Sequence, residues 1–341
     1  MVSSGVVIAG GRFALSRYSS PIERGNLIDP NARNDNHGQV RANQPINILL
    51  LGIDARVGVG EPIRADSIII LQIPKEHDRA FLASVPRDLI VEIPANPPVK
   101  KYPSHERVNA AFPYGSKDGR DLDAGFRLLS ATLTKLIGIK FDAAAIIDFE
   151  GFQSVVKALG GVTLCVDTRV ESIHIGYDKN GVTRRKQPGD KPVVYEPGCQ
   201  RMNSWQALDY VRQRHIDEAD YARQRHQQQF LKAIFREAAS KGVVSDPRKL
   251  DAVIRAAGKA LKLDDGGIPV DEWLWAMKGI REGDIVMLRT AGRSAFSNPN
   301  DLSTYKGEEL EPAGRELFDA LRDNKLDEFM LAHPEMVNRE A

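Results

Sequence analysis

The alternation of aliphatic and polar segments predicts strands in the first third of the chain. Three short runs rich in Ile, Leu and Val follow a polar N-terminal region, at Asn47 to Ile53, Ser67 to Ile73, and Ala80 to Ile93 with a break at Pro86. Such runs are typical of strands that are buried on both faces of a sheet. The segments between them are too short for a helical crossover, which takes about a dozen residues or more, so the three strands are expected to be antiparallel neighbours.

Helices and further strands alternate downstream. Four apolar residues recur at helical spacing over Asp121 to Ile137, and Gly138 closes that helix. Asn203 and Gln206 form a capping pattern at the start of another helix, and a longer helix is predicted from Asp220 to Ala239. The other predicted elements are strands at Ala143 to Asp148, Val162 to Val166 and Asp284 to Arg289, and helices at Glu150 to Leu159 and Pro312 to Arg322. This alternation predicts an α/β fold with helices packed on a sheet.

Charged residues occupy the ends of the first three predicted strands. In an up-down-up arrangement, the end of the first strand, the start of the second and the end of the third lie at the same edge of the sheet. Six charged side chains are expected to gather there: Asp54, Arg56, Arg64, Asp66, Arg87 and Asp88. A single ion pair at a strand end is usually solvated and contributes under about 1 kcal/mol, so the number of these charges is what indicates a site.

The predicted helix from Asp220 carries polar residues on its inward face. Its apolar stripe includes Phe230, and projecting that stripe back by threes and fours reaches Gln227, Arg223 and Asp220. Because burying a guanidinium is costly unless it is paired, this end of the helix is expected to face a cleft with an anionic occupant; the alternative is a helix end exposed beyond the core. Residues 201–236 contain seven Lys or Arg against four Asp or Glu, and six of the seven are arginine, which binds phosphate through two donors at once.

These residues indicate chemistry at a phosphate or pyrophosphate. Mg²⁺ is usually held by one or two carboxylates while phosphates and waters complete its octahedron, and Asp54 and Asp66 are candidate ligands. Phosphoryl transfer needs positioned positive charge, which arginines supply, and a spare carboxylate can take the proton of the acceptor. Other chemistries lack their motifs, since the sequence has no Walker loop, GxSxG, HExxH or CxxC, and its seven histidines are scattered.

Composition and the ends of the chain limit the class of partner. The 47 Lys or Arg against 46 Asp or Glu give a net charge of +1, which argues against bulk binding to nucleic acid or an anionic membrane. Residues 1–15 contain an apolar patch broken by Arg12, whereas a spanning helix needs roughly 20 apolar residues; the patch is the outer end of a membrane helix or a start without fixed structure. Residues 17–46 predict a linker. Cys165 and Cys199 are either a disulfide or two unrelated buried thiols.

An ordered set of motifs resembles the LytR-CpsA-Psr family of cell-wall glycopolymer transferases. The motifs are NILLLGIDAR, IRADSIIIL, SVPRD, RVNAAFPYG, DFEGF, LGGV, ALDYVRQR and DYARQRHQQQF. The resemblance implies a three-layer α-β-α sandwich with a central mixed, partly antiparallel sheet and a tunnel for a polyprenyl chain. It divides the chain into a membrane-helix remnant and extracytoplasmic linker at residues 1–45, a catalytic domain at 46–325 and a C-terminal tail at 326–341.

The resemblance also implies an activity and its residues. Family members are understood to move a glycopolymer, of the wall teichoic acid, arabinogalactan or capsule type, from a polyprenyl-pyrophosphate carrier to a peptidoglycan hydroxyl with Mg²⁺. Asp54 and Asp66 are the implied metal ligands, and the pyrophosphate-binding and catalytic residues are Arg64, Arg87, Arg212, Arg214, Arg223 and Gln227. Arg56, Asp88, Asn109 and Asp220 are expected beside the bound substrate, with Asp88 and Asp220 as orienting groups. One departure is Arg107, where family members often have lysine.

The family works at the extracytoplasmic face of the cytoplasmic membrane, held there by an N-terminal helix. The resemblance therefore implies that the patch at residues 5–15 is what remains of this helix, and that Cys165 and Cys199 form a disulfide. Two other functions stay open: a pyrophosphatase in which water replaces the sugar hydroxyl, and a module that binds polyprenyl phosphate or wall polymer without turnover. A DNA-binding role is disfavoured by the net charge near zero and the lack of a recognition-helix motif.

Overall fold

The computed structural model describes residues 23–36, 38–41, 43–54, 63–97, 99–214, 218–243 and 246–338; the apolar patch at residues 5–15 lies outside these ranges. The strands are, in chain order, β1 (Glu23–Arg24), β2 (Ile46–Ile53), β3 (Ala65–Ile73), β4 (Ala80–Ser84), β5 (Ile90–Ile93), β6 (Ser104–Arg107), β7 (Ala143–Ile147), β8 (Val162–Val166), β9 (Val170–Tyr177), β10 (Thr183–Arg185), β11 (Lys191–Tyr195), β12 (Gly198–Met202), β13 (Leu261–Asp264), β14 (Ile285–Leu288), β15 (Gly292–Phe296), β16 (Tyr305–Leu310) and β17 (Val337–Asn338). The helices are α1 (Ala111–Ser116), α2 (Leu122–Ile137), α3 (Phe149–Ala158), α4 (Ser204–Tyr210), α5 (Ala219–Ser240), α6 (Pro247–Ala257), α7 (Val270–Met277), α8 (Pro312–Asp323) and α9 (Leu326–Ala332).

A mixed sheet forms the centre of the fold. Its strand order is β1-β13-β7-β2-β3-β4-β14-β17. Strands β2 and β4 both pair antiparallel with β3, as the aliphatic runs predict, whereas β7 pairs parallel with β2 and β14 pairs parallel with β4. The antiparallel prediction is therefore confirmed. It brings the end of β2, the start of β3 and the end of β4 to one edge of the sheet.

Helices cover both faces of this sheet. On one face, Leu49 and Leu51 of β2 pack in a core with Phe126 of α2 and Leu317 of α8. On the other face, Leu50 packs against a second core to which α5 and α7 contribute. Because both faces are covered, β2 is aliphatic at consecutive positions and does not alternate with polar residues. The expected sandwich of helices, sheet and helices is confirmed.

A third core lies beside the main sheet. It is formed by α3, α4, β8, β9, β11 and one side of α5, and it includes Phe152, Tyr210 and Phe230. Strand β8 pairs antiparallel with β12, and Cys165 and Cys199 lie opposite each other in that pair and form a disulfide. The disulfide that the family resemblance implies is therefore present.

Helix ends follow the capping residues in the sequence. Asp121 accepts a hydrogen bond from the N–H of Ala124 at the start of α2, and Gly138 ends that helix with a φ of 84°. Asn203 and Gln206 form the predicted capping box at the start of α4. Both signals work because a side-chain acceptor satisfies an otherwise unpaired N–H in the first turn, and because glycine adopts a positive φ without steric cost.

The break at Pro86 divides the third aliphatic run into strands of two different sheets. Strand β4 ends at Ser84 and belongs to the main sheet, whereas β5 pairs with β6 in a separate two-stranded sheet. Proline has no N–H to continue the ladder, so the chain leaves the main sheet at this point. Arg87 and Asp88 therefore follow directly on the edge where β4 ends.

The folded domain extends beyond residues 46–325. Leu27 and Ile28 are fully buried in the core under α2, and β1 pairs with β13. At the other end, Leu326 and Phe329 are buried in the same core, and β17 pairs with β14. These apolar residues stand in polar stretches and are too few to produce a period in the sequence. Within the ranges that the structure describes, no helix combines the length and the apolar character needed to cross a membrane.

Candidate active site

A cavity of about 610 Å³ lies between β2 and β3 of the main sheet, helices α3 and α5, and β9. Its walls combine two chemistries. Apolar residues line it along the middle of the strands and on the helices; they include Leu50, Ile69, Ala145, Phe149, Phe152 and Phe230. Charged residues line it at the edge where β2 ends and β3 begins. A cavity of this size with apolar walls and a few converging polar groups is typical of a ligand site.

All eight residues that are predicted to be catalytic line this cavity. They are Asp54, Arg64, Asp66, Arg87, Arg212, Arg214, Arg223 and Gln227. They come from the facing ends of β2 and β3, from the segment after β4, and from the segment that runs from the end of α4 into α5. Arg56 lies outside the described residues. The predicted meeting point of these remote segments is therefore present, whereas the role of each side chain stays a prediction.

Asp88, Asn109 and Asp220, which are expected beside the substrate, lie next to the arginines of the cavity. The Oδ2 of Asp88 lies 3.8 Å from the Nε of Arg87, and Asn109 donates a 3.4 Å hydrogen bond to Asp88. The Oδ1 of Asp220 lies 2.8 Å from the Nη2 of Arg223. These three residues contact arginines or each other, which suits the orienting role expected of Asp88 and Asp220.

At the charged edge, two carboxylates are each shared by three arginines. Asp66 is ion-paired with Arg87, and its Oδ1 lies 3.5 Å from the Nη2 of Arg214 and 3.9 Å from the Nη1 of Arg223. The Oδ1 of Asp220 lies 3.5 Å from the Nε of Arg87 and 3.9 Å from the Nε of Arg214. Three guanidinium groups thus share two carboxylates, which leaves an excess of positive charge. These five residues are called the open cluster below.

Arg223 is the most buried arginine of the open cluster. Only 2% of the residue is exposed, its Nε has no hydrogen-bond acceptor within the described ranges, and its Nη2 meets Asp220 as an ion pair without hydrogen-bond geometry. Burial, together with the neighbouring Arg214 and Arg87, lowers the pKa of Arg223 to about 10, although Asp220 acts in the opposite direction. For Arg87, burial also lowers the pKa, but the surrounding carboxylates outweigh burial and raise it. Arg223 is therefore the group that gains most from an anionic ligand.

Asp54 and Arg212 connect the charged edge with the apolar wall. The Nη2 of Arg212 lies 3.9 Å from the Oδ2 of Asp54, and the guanidinium carbon lies 4.1 Å from the centroid of the Phe149 ring. A cation over an aromatic face contributes about 0.5–1 kcal/mol where it is partly exposed. The pair places a positive charge directly beside aromatic carbon, which suits a ligand with a charged head and an apolar chain.

The donor set suits Mg²⁺ when a ligand contributes further oxygens. Asp54 and Asp66 line the same cavity. Among the residues that the structure describes, no group of three or more His, Cys, Asp or Glu is arranged to hold a metal ion. Mg²⁺ is commonly held by one or two carboxylates together with substrate phosphates and water. Two carboxylates match that donor set only where phosphate oxygens and water supply the other ligands.

Comparison with known proteins identifies the family. The model of the LytR_cpsA_psr family matches residues 15–311. The chain belongs to this family. The polyisoprenyl-teichoic acid–peptidoglycan teichoic acid transferase TagU of Oceanobacillus iheyensis is 27% identical over 244 residues, which are 69% of this chain and 66% of TagU. The cell wall biosynthesis protein LcpA of Corynebacterium glutamicum is 25% identical over 251 residues, which are 70% of this chain and 44% of LcpA. The chain thus spans less than two thirds of the length of these relatives.

Solved structures show the same fold. The crystal structure of TagV from Bacillus subtilis matches with a TM-score of 0.59 at 23% identity, covering 84% of this chain and 99% of TagV. The structure of TagT bound to LI-WTA matches with a TM-score of 0.57 at 21% identity, covering 83% of this chain and 91% of TagT. The LytR_cpsA_psr fold predicted from the motifs is therefore confirmed.

The LytR_cpsA_psr motifs leave part of the cavity unassigned. Phe149 and Phe152 line it from α3, and Phe230 of α5 stacks on Phe152 with 3.9 Å between ring centroids. Phe149 and Phe152 lie in the DFEGF motif, which contributes to the resemblance but does not predict where the two rings lie. Phe230 belongs to the apolar stripe of α5, and that stripe predicts burial but not the cavity that the ring lines.

A second charged cluster, which sequence reasoning missed, lies on another side of α5. The Oδ2 of Asp167 lies 2.7 Å from the Nη2 of Arg225, and its Oδ1 lies 3.3 Å from the Nε2 of His226. The Nη1 of Arg225 also lies 2.7 Å from Glu218. Asp167, Glu218, Arg225 and His226 are called the closed cluster below. Residues two apart on a helix project about 200° from each other, so Arg225 points away from the side that carries Arg223.

Proposed function

We propose that this chain is a Mg²⁺-dependent phosphotransferase that moves a glycopolymer from a polyprenyl-pyrophosphate carrier to peptidoglycan. The observation that carries the proposal is Arg223, which is buried in the wall of the cavity, shares Asp66 and Asp220 with two other arginines, and has an Nε without an acceptor among the described residues. Such a group is costly unless an anion occupies the site. A diphosphate joined to a hydrocarbon chain supplies the anion and also fits the apolar walls.

The relatives support this class of reaction. TagU of Oceanobacillus iheyensis is named as a transferase of teichoic acid to peptidoglycan, and LcpA of Corynebacterium glutamicum as a cell wall biosynthesis protein. We extend to this chain the transfer of a glycopolymer to peptidoglycan. Teichoic acid, arabinogalactan and capsule polymers would all present a sugar phosphate to the arginines, so the polymer itself is left open.

The reaction needs positioning, charge stabilisation and one proton transfer. The oxygen of a peptidoglycan hydroxyl attacks the phosphorus that bears the glycopolymer, and the bond from this phosphorus to the bridging oxygen breaks. Polyprenyl phosphate leaves with the electron pair, and the hydroxyl proton passes to a base of the site. Because the guanidinium groups are fixed before the reaction, they stabilise the charge that develops on the phosphoryl oxygens; the residues are Arg64, Arg87, Arg212, Arg214 and Arg223.

The remaining polar residues of the site have supporting roles in this proposal. Asp54 and Asp66 would hold Mg²⁺, which would supply positive charge to neutralise the phosphate oxygens. Gln227 follows Arg223 by one helical turn and lines the cavity, and we assign its amide to a phosphate oxygen. Asp220 holds Arg223 in place from outside the cavity.

We place the reaction at the extracytoplasmic face of the cytoplasmic membrane. A polyprenyl carrier is a membrane lipid, and peptidoglycan lies outside that membrane. The disulfide between Cys165 and Cys199 supports this compartment, because disulfides form and persist in oxidising surroundings.

The proposal is tested in an assay that combines purified protein, isolated peptidoglycan and a short-chain polyprenyl-pyrophosphate oligosaccharide with a labelled sugar. With Mg²⁺, the label is expected on peptidoglycan and polyprenyl phosphate is expected in solution, and EDTA is expected to stop both. Asp54→Ala and Asp66→Ala are expected to lower transfer by about 10²- to 10³-fold. The matched control is Glu309→Ala, which removes an exposed carboxylate paired with Arg293 on the surface and leaves transfer unchanged.

Full transfer by both aspartate variants contradicts the proposed site. Release of polyprenyl phosphate without label on peptidoglycan assigns a pyrophosphatase instead. Binding of the lipid without either product assigns a binding module.

A further inference from the structure

A buried carboxylate holds an imidazole on the wall of the cavity. His174 of β9 lines the cavity, and 34% of its side chain is exposed. The Nδ1 of His174 lies 2.9 Å from the Oδ1 of Asp209, whose side chain is only 2% exposed. A carboxylate that accepts from one ring nitrogen of a partly exposed histidine fixes the tautomer of the ring and leaves the other nitrogen for chemistry.

The other partners of Asp209 determine which nitrogen carries the proton. The hydroxyl of Tyr195 donates a 2.7 Å hydrogen bond to Oδ2 of Asp209, and the amide of Gln213 donates a 2.9 Å hydrogen bond to Oδ1. Burial and the nearby Asp209 raise the pKa of Tyr195 far above its usual range, so the hydroxyl stays a donor. Asp209 is thus an acceptor on all sides, and Nδ1 of His174 must donate to it. In the neutral ring, Nε2 then carries a lone pair, and no described residue hydrogen-bonds it.

This histidine is connected to the charged edge of the cavity through the chain itself. Gln213 is fully buried, and its Nε2 lies 3.4 Å from the Nδ1 of His174. Its two neighbours in sequence are the cavity arginines, of which Arg212 contacts Asp54 and Arg214 contacts Asp66. The imidazole and the arginines therefore belong to one continuous wall.

The charged and titratable groups on the elements around His174 are Asp209 and Tyr210 of α4, Lys191 and Tyr195 of β11, Arg184 and Arg185 of β10, Lys186 after β10, and Arg212 and Arg214 after α4. Lys186 donates from its backbone N–H to the carbonyl of His174 at 2.8 Å, and its ammonium lies 3.5 Å from the carbonyl of Ser172. Asp209 is the group in direct contact with the ring. It stabilises the imidazolium that forms when Nε2 takes up a proton.

We propose that His174 is the base that accepts the proton of the attacking hydroxyl. The inference rests on the proposed transferase reaction and assigns its proton acceptor. The hydroxyl oxygen bonds to phosphorus as its proton moves to Nε2, polyprenyl phosphate leaves with the electron pair of the bridging bond, and Nε2 then releases the proton to water. Asp54 and Asp66 are less suited to this step, because their oxygens face arginines and the proposed metal.

His174→Gln is the first test, because glutamine can still donate to Asp209 but has no titrating nitrogen. In the labelled-sugar transfer assay, kcat is expected to fall by about 10²- to 10⁴-fold, with a much smaller change in KM for the lipid substrate. The wild-type kcat is expected to decline as the pH is lowered and the ring is protonated, and this acid limb is expected to disappear in the variant. The matched control is His333→Gln, which changes a surface histidine paired with Glu316 and leaves kcat and the pH profile unchanged.

A second measurement does not depend on turnover. Side-chain ¹⁵N NMR of histidine-labelled wild-type protein is expected to show the proton of neutral His174 on Nδ1, and Asp209→Asn is expected to change this tautomer. The same variant is expected to lower kcat while the fold, followed by the backbone spectrum, is retained. Asp209 is a positioning residue in this inference.

The outcomes separate the two proposals. If the wild type transfers the label and His174→Gln has the wild-type kcat and pH profile, the assignment of His174 is wrong while the transferase proposal stands. A proton on Nε2 in the neutral wild-type ring also overturns the assignment. If the wild type neither transfers the label nor releases polyprenyl phosphate, the transferase proposal fails, and the role of His174 fails with it.

Discussion

Two arginines of α5, only two positions apart, lie in opposite surroundings. Arg223 belongs to the open cluster, where three arginines share two carboxylates and where its Nε lacks an acceptor within the described residues. Arg225 belongs to the closed cluster, where its Nε donates a 2.8 Å hydrogen bond to Asp167 and its Nη1 donates a 2.7 Å hydrogen bond to Glu218. Burial lowers the pKa of Arg225, but the two carboxylates outweigh burial and raise it.

The difference shows how a ligand site is distinguished from a structural ion pair. Removing charge from water is costly in both clusters, but only the closed one compensates the cost within the protein. There, His226 and Arg225 outweigh the effect of burial on Asp167 and hold the pKa of its carboxyl well below the usual range. The open cluster keeps donors for an anion from outside. The open cluster has three arginines for two carboxylates, whereas the closed cluster has one arginine and one histidine for two carboxylates, so the balance of donors and acceptors is the informative property.

The largest expected effect comes from Arg223→Ala, which removes the most buried charge of the open cluster. Transfer is expected to fall by about 10²- to 10³-fold, because one preorganised donor at the reacting phosphate is lost. The melting temperature is expected to stay the same or rise, since a buried and poorly paired charge is gone while Arg87 and Arg214 still pair with the carboxylates. The transfer assay and thermal unfolding of the same preparation check this. If Arg223→Ala kept the wild-type rate of transfer and lost much of its stability, Arg223 would be a structural residue and the contrast between the two clusters would be wrong.

The next largest expected effect is a loss of stability when the disulfide beside the closed cluster is removed. Cys165 lies on β8, two positions before Asp167, and is joined to Cys199 across 34 residues. Replacing both cysteines by serine is expected to reduce the free energy of unfolding by about 3–4 kcal/mol, because the unfolded chain gains the entropy of an open loop. Urea unfolding of the variant and the wild type measures it. The affinity of the folded fraction for inorganic pyrophosphate, which reports on the open cluster, is expected to be unchanged.

A smaller loss of stability is expected for Arg225→Ala. The change leaves Asp167 without its guanidinium partner, and one charge-assisted contact of this kind contributes about 2 kcal/mol. Transfer by the folded fraction is expected to stay within a few fold of the wild type, because Arg225 is not part of the cavity wall. Arg293→Ala, which breaks an exposed pair with Glu309, is the control and is expected to cost under about 0.5 kcal/mol. If Arg225→Ala abolished transfer and left stability intact, the closed cluster would be a second active site and not a support.

The sequence predicts the open cluster well because its geometry depends on strand direction. Asp54 and Asp66 flank two aliphatic strands joined by a short connection, so antiparallel pairing places them at one edge. Arg87 follows a third strand that ends at the same edge. Arg223 joins them through the stripe of α5, whose period of 3.6 residues indicates which side faces the sheet. Local pattern and simple topology are therefore sufficient to bring these remote residues together.

The closed cluster and the pair of His174 with Asp209 are not predictable in this way. Asp167 follows a strand in a short turn, Asp209 lies near the end of a seven-residue helix, and His174 lies on a strand with an irregular register. No period in the sequence relates these segments, because tertiary packing of the third core determines their contacts. The resemblance to a family also gives no help here, since it transfers roles only to positions that match its motifs.

The smallest expected effect is a difference in acid stability between the two clusters. The pKa of Asp167 is lower in the folded protein than in the unfolded chain, where an aspartate titrates near about 3.9. A carboxyl of this kind contributes stability above its unfolded pKa and loses that contribution as the pH falls toward its folded pKa. Urea midpoints measured from pH 7 down to pH 3 are therefore expected to show Asp167→Asn less stable than wild type at neutral pH, with a gap that narrows below about pH 4. Because one proton is involved, the difference in the free energy of unfolding changes by at most about 1.4 kcal/mol per pH unit.

Arg223→Ala is the matched variant for this titration. The charge of Arg223 itself does not change between pH 7 and pH 3, and the two carboxylates keep Arg87 and Arg214 as partners in the variant, so the variant is expected to run nearly parallel to the wild type over this range. If the difference in urea midpoint between Asp167→Asn and the wild type stayed constant over this range, the Asp167 carboxylate would gain no stability from the closed cluster. A gap that narrows for Arg223→Ala would mean that the open cluster holds titrating carboxylates more tightly than its shared contacts indicate. Acid stability thus distinguishes a cluster whose charges are paired within the protein from one that keeps donors for an anionic ligand.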